Sequence, residues 1–428
     1  MLSLIHGSTA LLRTCGAAAL FLPLFAGLAL GGVQDGDEVP EFASLATPAV
    51  VLDADLPVDA ELAPFQLELL GMAFNAVSQL PLQPHIKNRA LGQQAVVETC
   101  LELGLPQRAL RYSREIPNWR RGFGFASLAY WCAERDLRSA FERYEDLALE
   151  VAETDQDWRR DRIRVQVARA HELLGDSALA EALSADAIDA EAGKLRAERA
   201  AKAGGEEFEE ILAFLEESAR VQSFDLTGAG IEACLRLFDR FYDDEERREQ
   251  VVDAIVASWR GVPLDRRIDA LVSLADASVA HGDEQRARAF VEEALAIVDG
   301  GRWTLEHEVP LRAQLAAARY RAGEGDRARA EAADTLSRYK AGREELATMF
   351  RARTLRPLAE ALAEMGDGPA AATVFELTIE DGALNANSRP RALDLADTCL
   401  AMARHGVEPN EELWLRLRAI HAGLGDPW

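Results

Sequence analysis

Lysine is nearly absent. Of the 47 basic residues only Lys87, Lys194, Lys202 and Lys340 are lysine, and the rest are arginine. That bias reads as the base composition of the encoding gene, not as a phosphate-binding programme. The formal charge of −25 argues against nucleic acid or an anionic lipid surface as a general partner, because like charge repels. Cysteine is also scarce. Cys15 falls near the start, and Cys100, Cys132, Cys234 and Cys399 lie far apart, each inside an apolar helical stretch. With no CxxC and no mixed Cys/His spacing, buried helical thiols are expected rather than disulfides or a zinc site. The strand formers Val, Ile and Thr are sparse beside Ala, Leu, Glu and Arg, which argues for helix.

The signatures of catalysis are missing too. HExxH is absent, since His171-Glu172 and His307-Glu308 each lack the second histidine. The other histidines beyond residue 31 (His85, His281, His405, His421) are scattered. There is no G-x-S-x-G elbow and no P-loop, and Gly122-Phe123-Gly124 has no strand before it. Asp243-Asp244-Glu245-Glu246 lacks the spacing of a calcium loop and suits a helix N-terminus, where acids favour the dipole. The expectation is a protein that is not an enzyme, with no catalytic residue, cofactor or metal.

Long apolar runs are limited to one, over 17–30, which turns polar at Gln34-Asp35-Gly36-Asp37-Glu38. With Arg13 before it and small residues after it, the run reads as a signal peptide over 1–31, cleaved near Gly31 or Gly32. An uncleaved anchor is the alternative. No cysteine follows for a lipoprotein anchor, and no later run is long enough to span a bilayer. The mature chain is therefore expected to be exported, periplasmic or secreted, with no membrane span. Residues 32–60, rich in Asp, Pro and Ala without periodicity, read as a flexible linker.

What is present is helical periodicity from 61 to the end, as in Ile268-Asp269-Ala270-Leu271-Val272-Ser273-Leu274-Ala275. The breaks recur. Gly175-Asp176 precedes Ala180, Gly282-Asp283 precedes Ala287, Gly325-Asp326 precedes Ala330, and Gly366-Asp367 precedes Ala371. Weaker copies are Arg135-Asp136 with Ala140 and Gly104-Leu105 with Ala109. Glycine closes one helix in a left-handed turn and aspartate caps the next. A second alanine stands twelve residues before each strong anchor, at Ala168, Ala275, Ala318 and Ala359, where helices cross closely. Small residues on both helices of a pair, across a Gly-Asp turn, resemble the tetratricopeptide repeat, with longer helices and most of the family's Trp, Tyr and Pro marks missing. The expected fold is all-α: an α-solenoid of antiparallel pairs, about nine, over 61–428, as two halves joined near 194–210 or with a long helix protruding there.

The resemblance implies a concave groove that receives a partner's segment. Counting back from the anchor alanines places Arg162 with Arg169, Arg312 with Arg319 and Asp269 with Asp276 in it, the arginines suiting an acidic segment. A second candidate is an aromatic and basic patch of Arg111, Trp119, Arg120, Arg121 and Trp131, residue types enriched in binding surfaces, with packing between repeats as the plainer reading. The functional expectation is an exported protein-interaction scaffold. Its rivals are an α/α-framework enzyme acting on envelope polysaccharide, against which uneven repeat spacing counts, and a self-assembling array.

Overall fold

The computed structural model describes residues 52–428, and every regular element among them is helical. The expected signal peptide lies outside the described residues. The chain runs through α1 (Pro64–Ser78), α2 (Leu82–Glu102), α3 (Pro106–Glu115), α4 (Arg120–Ala133), α5 (Arg138–Glu153), α6 (Asp157–Leu174) and the short α7 (Ser177–Ser184). Next come α8 (Asp189–Ala200), α9 (Gly205–Arg220), α10 (Phe224–Arg240), α11 (Glu245–Ala257), α12 (Leu264–Ala280) and α13 (Glu284–Gly300). It ends in α14 (Leu305–Arg321), α15 (Gly325–Gly342), α16 (Thr348–Glu364), α17 (Gly368–Ala383), α18 (Ser388–His405) and α19 (Glu411–Ala422).

Local chemistry explains where these helices start. Asp283 accepts from the Arg286 amide at 3.0 Å to cap α13, whose buried residues Ala287, Phe290, Val291, Ala294 and Val298 repeat at helical spacing. Asp367 caps α17 and Asn410 caps α19 in the same way. The acidic run at 243–246 is the start of α11, with Asp244 accepting from the Arg247 amide at 3.2 Å.

Left-handed glycines close α6 (Gly175), α12 (Gly282) and α16 (Gly366), as the repeating breaks predict. One break needs correction. Gly323 (φ 84°), not Gly325, makes the turn after α14, and Gly325 already belongs to α15. The anchor alanine there is consequently Ala328, which is fully buried, whereas Ala330 is exposed. The other anchors, Ala109, Ala140, Ala180, Ala287 and Ala371, are buried, and so are Ala168, Ala275, Ala318 and Ala359.

The even-numbered helices each pack on the next even one, while odd-numbered neighbours scarcely touch, which puts the even row on the inside of the curve. That row closes on itself. Arg404, at the end of α18, donates to Thr99 Oγ1 at 2.9 Å and pairs with Glu102 at 3.0 Å, both at the end of α2. Antiparallel to α18, α1 packs against it, with Gln66 Nε2 donating to the Ala403 carbonyl at 2.7 Å. Behind it, Arg418 of α19 reaches Glu68 at 2.8 Å. Residues from both ends of this helical array share one hydrophobic core. The expected array of pairs is a ring, and the uneven spacing that counted against closure is absorbed in helices of unequal length.

A second core spans Ala200 to Ala322, and between the two, near α7, Ala168, Ala180 and Leu195 form a small buried cluster of their own. No long helix protrudes over 194–210, because α8 and α9 are separate helices either side of a break at 201–204. The expected flexible linker also stops short of 60. Asp53 and Leu56 are buried, and Gln107 Oε1 accepts from the amides of Leu52 and Asp53 at 2.9 and 3.1 Å. Tyr144 donates to Asp53 at 2.5 Å, and the Ala60 amide donates to the Gly104 carbonyl at 2.9 Å. Among the described residues no helix is long and apolar enough to cross a membrane.

Candidate functional site on the inner face of the ring

Five of the left-handed turns place a polar side chain at the same phase of the helix before them. Six residues before Gly104, Asp136, Gly175, Gly282 and Gly366 stand Glu98, Tyr130, Arg169, Asp276 and Glu360, all on even-numbered helices. They face the inside of the ring, and all but Glu98, which accepts from Gln94 of its own helix, join neighbouring helices. Glu198 of α8 accepts from Tyr130 of α4 at 3.0 Å and from Arg169 of α6 at 2.5 Å. Arg321 of α14 bridges Asp276 of α12 at 2.7 Å and Glu364 of α16 at 2.6 Å. Arg356 of α16 pairs with Asp397 of α18 at 3.1 Å, and His405 of α18 lies 3.8 Å from Glu360.

The electrostatics follow from this crowding. Burial pulls the Arg321 pKa down, but Asp276 and Glu364 more than offset it. Arg169 is held above its ordinary value in the same way, burial being outweighed by Glu198 and Tyr130. Burial works against the ionised form of Glu360, yet His405, Arg356 and Arg404 hold its carboxyl below the usual range. Arg169, Arg321 and Glu360 are therefore held in their charged forms by partners across helix boundaries, whereas burial outweighs Arg321 at Asp276 and pushes its carboxyl up.

No family model matches the chain. No curated protein matches it either.

The two sequence-derived site candidates fare differently in detail. Arg169 and Asp276 lie in this inner lattice, and Asp269 accepts from Gln314 of α14 at 3.1 Å beside them. Arg162 sets its guanidinium 5.2 Å from the centre of the Phe123 ring on α4. Arg312 and Arg319 do not belong to the groove. Arg319 is completely buried, gripped by Glu292, Glu324 and Glu331 at 2.8, 2.6 and 2.8 Å. Arg312 pairs with Glu308 and Asp299 at 2.7 and 2.8 Å and lines a cleft of about 300 Å³ with Leu295 and Arg327. The cause is the slipped break: counting from Ala330 instead of Ala328 turns the helix by two residues, and the true inner positions are Pro310 and Ala317.

The aromatic and basic patch is not one exposed surface. Trp119 and Trp131 are buried, and the Trp131 indole donates to the Leu101 carbonyl at 3.0 Å, so packing between repeats is what these rings do. Arg111 and Arg121 are exposed, Arg111 lying 3.7 Å from Glu115. Arg120 is the exception of interest. It is buried, stacks on Trp119 at 4.7 Å, and donates to Gln94 of α2. Glu98, Gln94, Tyr130, Arg321 and Glu360 were not legible as site residues, although counting six back from each glycine turn would have found two of them. Among the described residues no three His, Cys, Asp or Glu side chains gather as metal ligands.

Proposed function

We propose that this is an exported, non-enzymatic scaffold built of tetratricopeptide-like helix pairs, which holds a segment of a partner protein against the inner face of its ring. The observation that carries this reading is the cross-helix lattice itself. Polar side chains pair across α4, α6 and α8 and again across α12, α14, α16 and α18, so they are fixed in place and preorganised for a ligand. Among the described residues nine inner helices, at a spacing of about 9 Å, could enclose an opening of at most about 15 Å. That bound admits a single extended chain or helix and excludes a folded domain.

Ring closure favours a second reading, the α/α-framework enzyme acting on polysaccharide. Such chemistry needs two carboxylates free to act as acid and base. Asp276, Glu364, Glu198, Glu360 and Asp397 are each committed to an arginine, tyrosine or histidine, which supports binding over hydrolysis. The test is capture from the native envelope with tagged residues 32–428, with N-terminal sequencing of the protein made in its own cells. The proposal expects one protein enriched in near-equal amount and a mature N-terminus near residue 32. Polysaccharide cleavage by the purified chain, with no protein retained, contradicts it.

A further inference from the structure

Two stretches far apart in sequence meet on the inner face. Arg120, from the start of α4, and Arg162, from α6, both face Glu98 of α2. Arg169, Arg321, Arg356 and Arg404 each have a carboxylate partner within 4 Å, but neither Arg120 nor Arg162 has one among the described residues. Arg120 is more than nine-tenths buried, and its neutral partner Gln94 spends its own amide on Glu98 at 2.7 Å. Arg162 rests on Phe123, and its buried Nε atom has no acceptor. A buried guanidinium without a carboxylate is costly to maintain, so this corner of the ring is electrostatically incomplete.

We propose that Arg162, backed by Arg120, is a carboxylate-binding site that takes an acidic side chain from the partner segment. This rests on the inner-face reading above. Burial first, then Arg162 beside it, brings the Arg120 pKa down to about 10 in spite of Glu98. Glu98 is the nearby anion that competes, and burial already pushes its carboxyl up, so it answers two cations poorly. Apolar contact is supplied on the same side. Trp158 lies one turn before Arg162 on α6, remains 45% exposed, and meets Trp119 edge-on at 5.3 Å. A carboxylate next to an apolar side chain fits this pairing of guanidinium and aromatic ring. A bare inorganic anion would leave Trp158 unused.

The test is calorimetric titration of residues 32–428 with capped hexaglutamate, capped hexalysine and inorganic phosphate. Hexaglutamate should bind, Arg162→Ala should weaken it at least about tenfold, and Arg162→Lys should fall between because it keeps charge but loses the planar fork. Glu98→Gln, which retains an acceptor for Gln94, should strengthen binding by roughly threefold as a competing charge disappears. Circular dichroism melting of each variant separates lost binding from lost folding, and Arg162, less buried than Arg120, makes the safer variants. No hexaglutamate binding, or binding indifferent to Arg162, overturns the site, and phosphate binding as tight as the peptide overturns the peptide as its ligand. Envelope capture run in parallel keeps the two readings apart. A partner held equally by wild type and Arg162→Ala overturns only this site, whereas no partner held by either overturns the inner-face reading as well.

Discussion

Arg319 reaches no solvent, yet three glutamates share its guanidinium across α13, α14 and α15. Replacing it with alanine leaves those carboxylates facing each other beside a cavity. The expected cost is about 3 kcal/mol, the lower end for a broken buried pair because the glutamates are partly exposed. Urea unfolding of Arg319→Ala measures it, and a loss below about 1 kcal/mol would show the brace to be ornamental. The slipped alanine register offers a sharper pair. Ala328→Leu should destabilise by about 1–3 kcal/mol through overpacking, while Ala330→Leu should change stability by less than about 0.5 kcal/mol. Equal effects would restore the register first read from the sequence. That misreading has a physical source. Gly323-Glu324-Gly325-Asp326 offers two glycine turns, and aspartate is the better cap, so local chemistry favours the second. Tertiary packing decides otherwise, because burying Ala328, Ala332, Thr335 and Tyr339 requires α15 to start at the first. A last residue-scale consequence concerns pH. Burial, with Asp397 nearby, pushes the Asp394 carboxyl up to about 8 in spite of Arg356, Arg353 and Asn385. The folded chain then binds a proton that the unfolded chain has released, so stability falls as pH rises from about 4 through 8. Asp394→Asn should flatten that fall, with Tm higher than wild type at pH 8.5 and little changed at pH 4; an unaltered pH profile would show another group to be responsible.

At the scale of elements, the periodicity and Gly-Asp turns made the helices and most of their anchors legible, because capping and helix crossing are local demands. The pairings of inner-face residues were not, since Glu198 meeting both Tyr130 and Arg169 depends on how three helices are set side by side. The same holds for the weak joint in the ring. With Ala180 as its single buried residue, α7 lies where the two large cores stop, and a small cluster of Ala168, Ala180 and Leu195 fills the gap to α8. Elements with few buried apolar contacts open first. Amide exchange should therefore show α7 and the start of α8 losing protection well before α4, α14 or α16. Uniform protection around the ring would contradict a joint there.

For the whole molecule, closure is the feature that the sequence hid most completely. The residues that make it, such as Gln66 with Ala403 and Arg404 with Thr99, stand more than 300 positions apart and carry no motif. Closure gives the inner face two continuous boundaries and limits what can enter. It also frames the charge balance, since a chain of net charge −25 with arginines turned inward should attract an acidic segment only at close range, and less so as salt rises. The enclosed inner face exists only if the two ends of the array meet. The direct measurement uses Glu68→Cys with Arg418→Cys, replacing an ion pair of α1 and α19 in a protein whose own cysteines from Cys100 onward are buried. A short bis-maleimide should link the two within one folded chain, quickly and at any protein dilution, with the product read by peptide mass. Absence of that link under native conditions, or links formed only between chains, would contradict the ring.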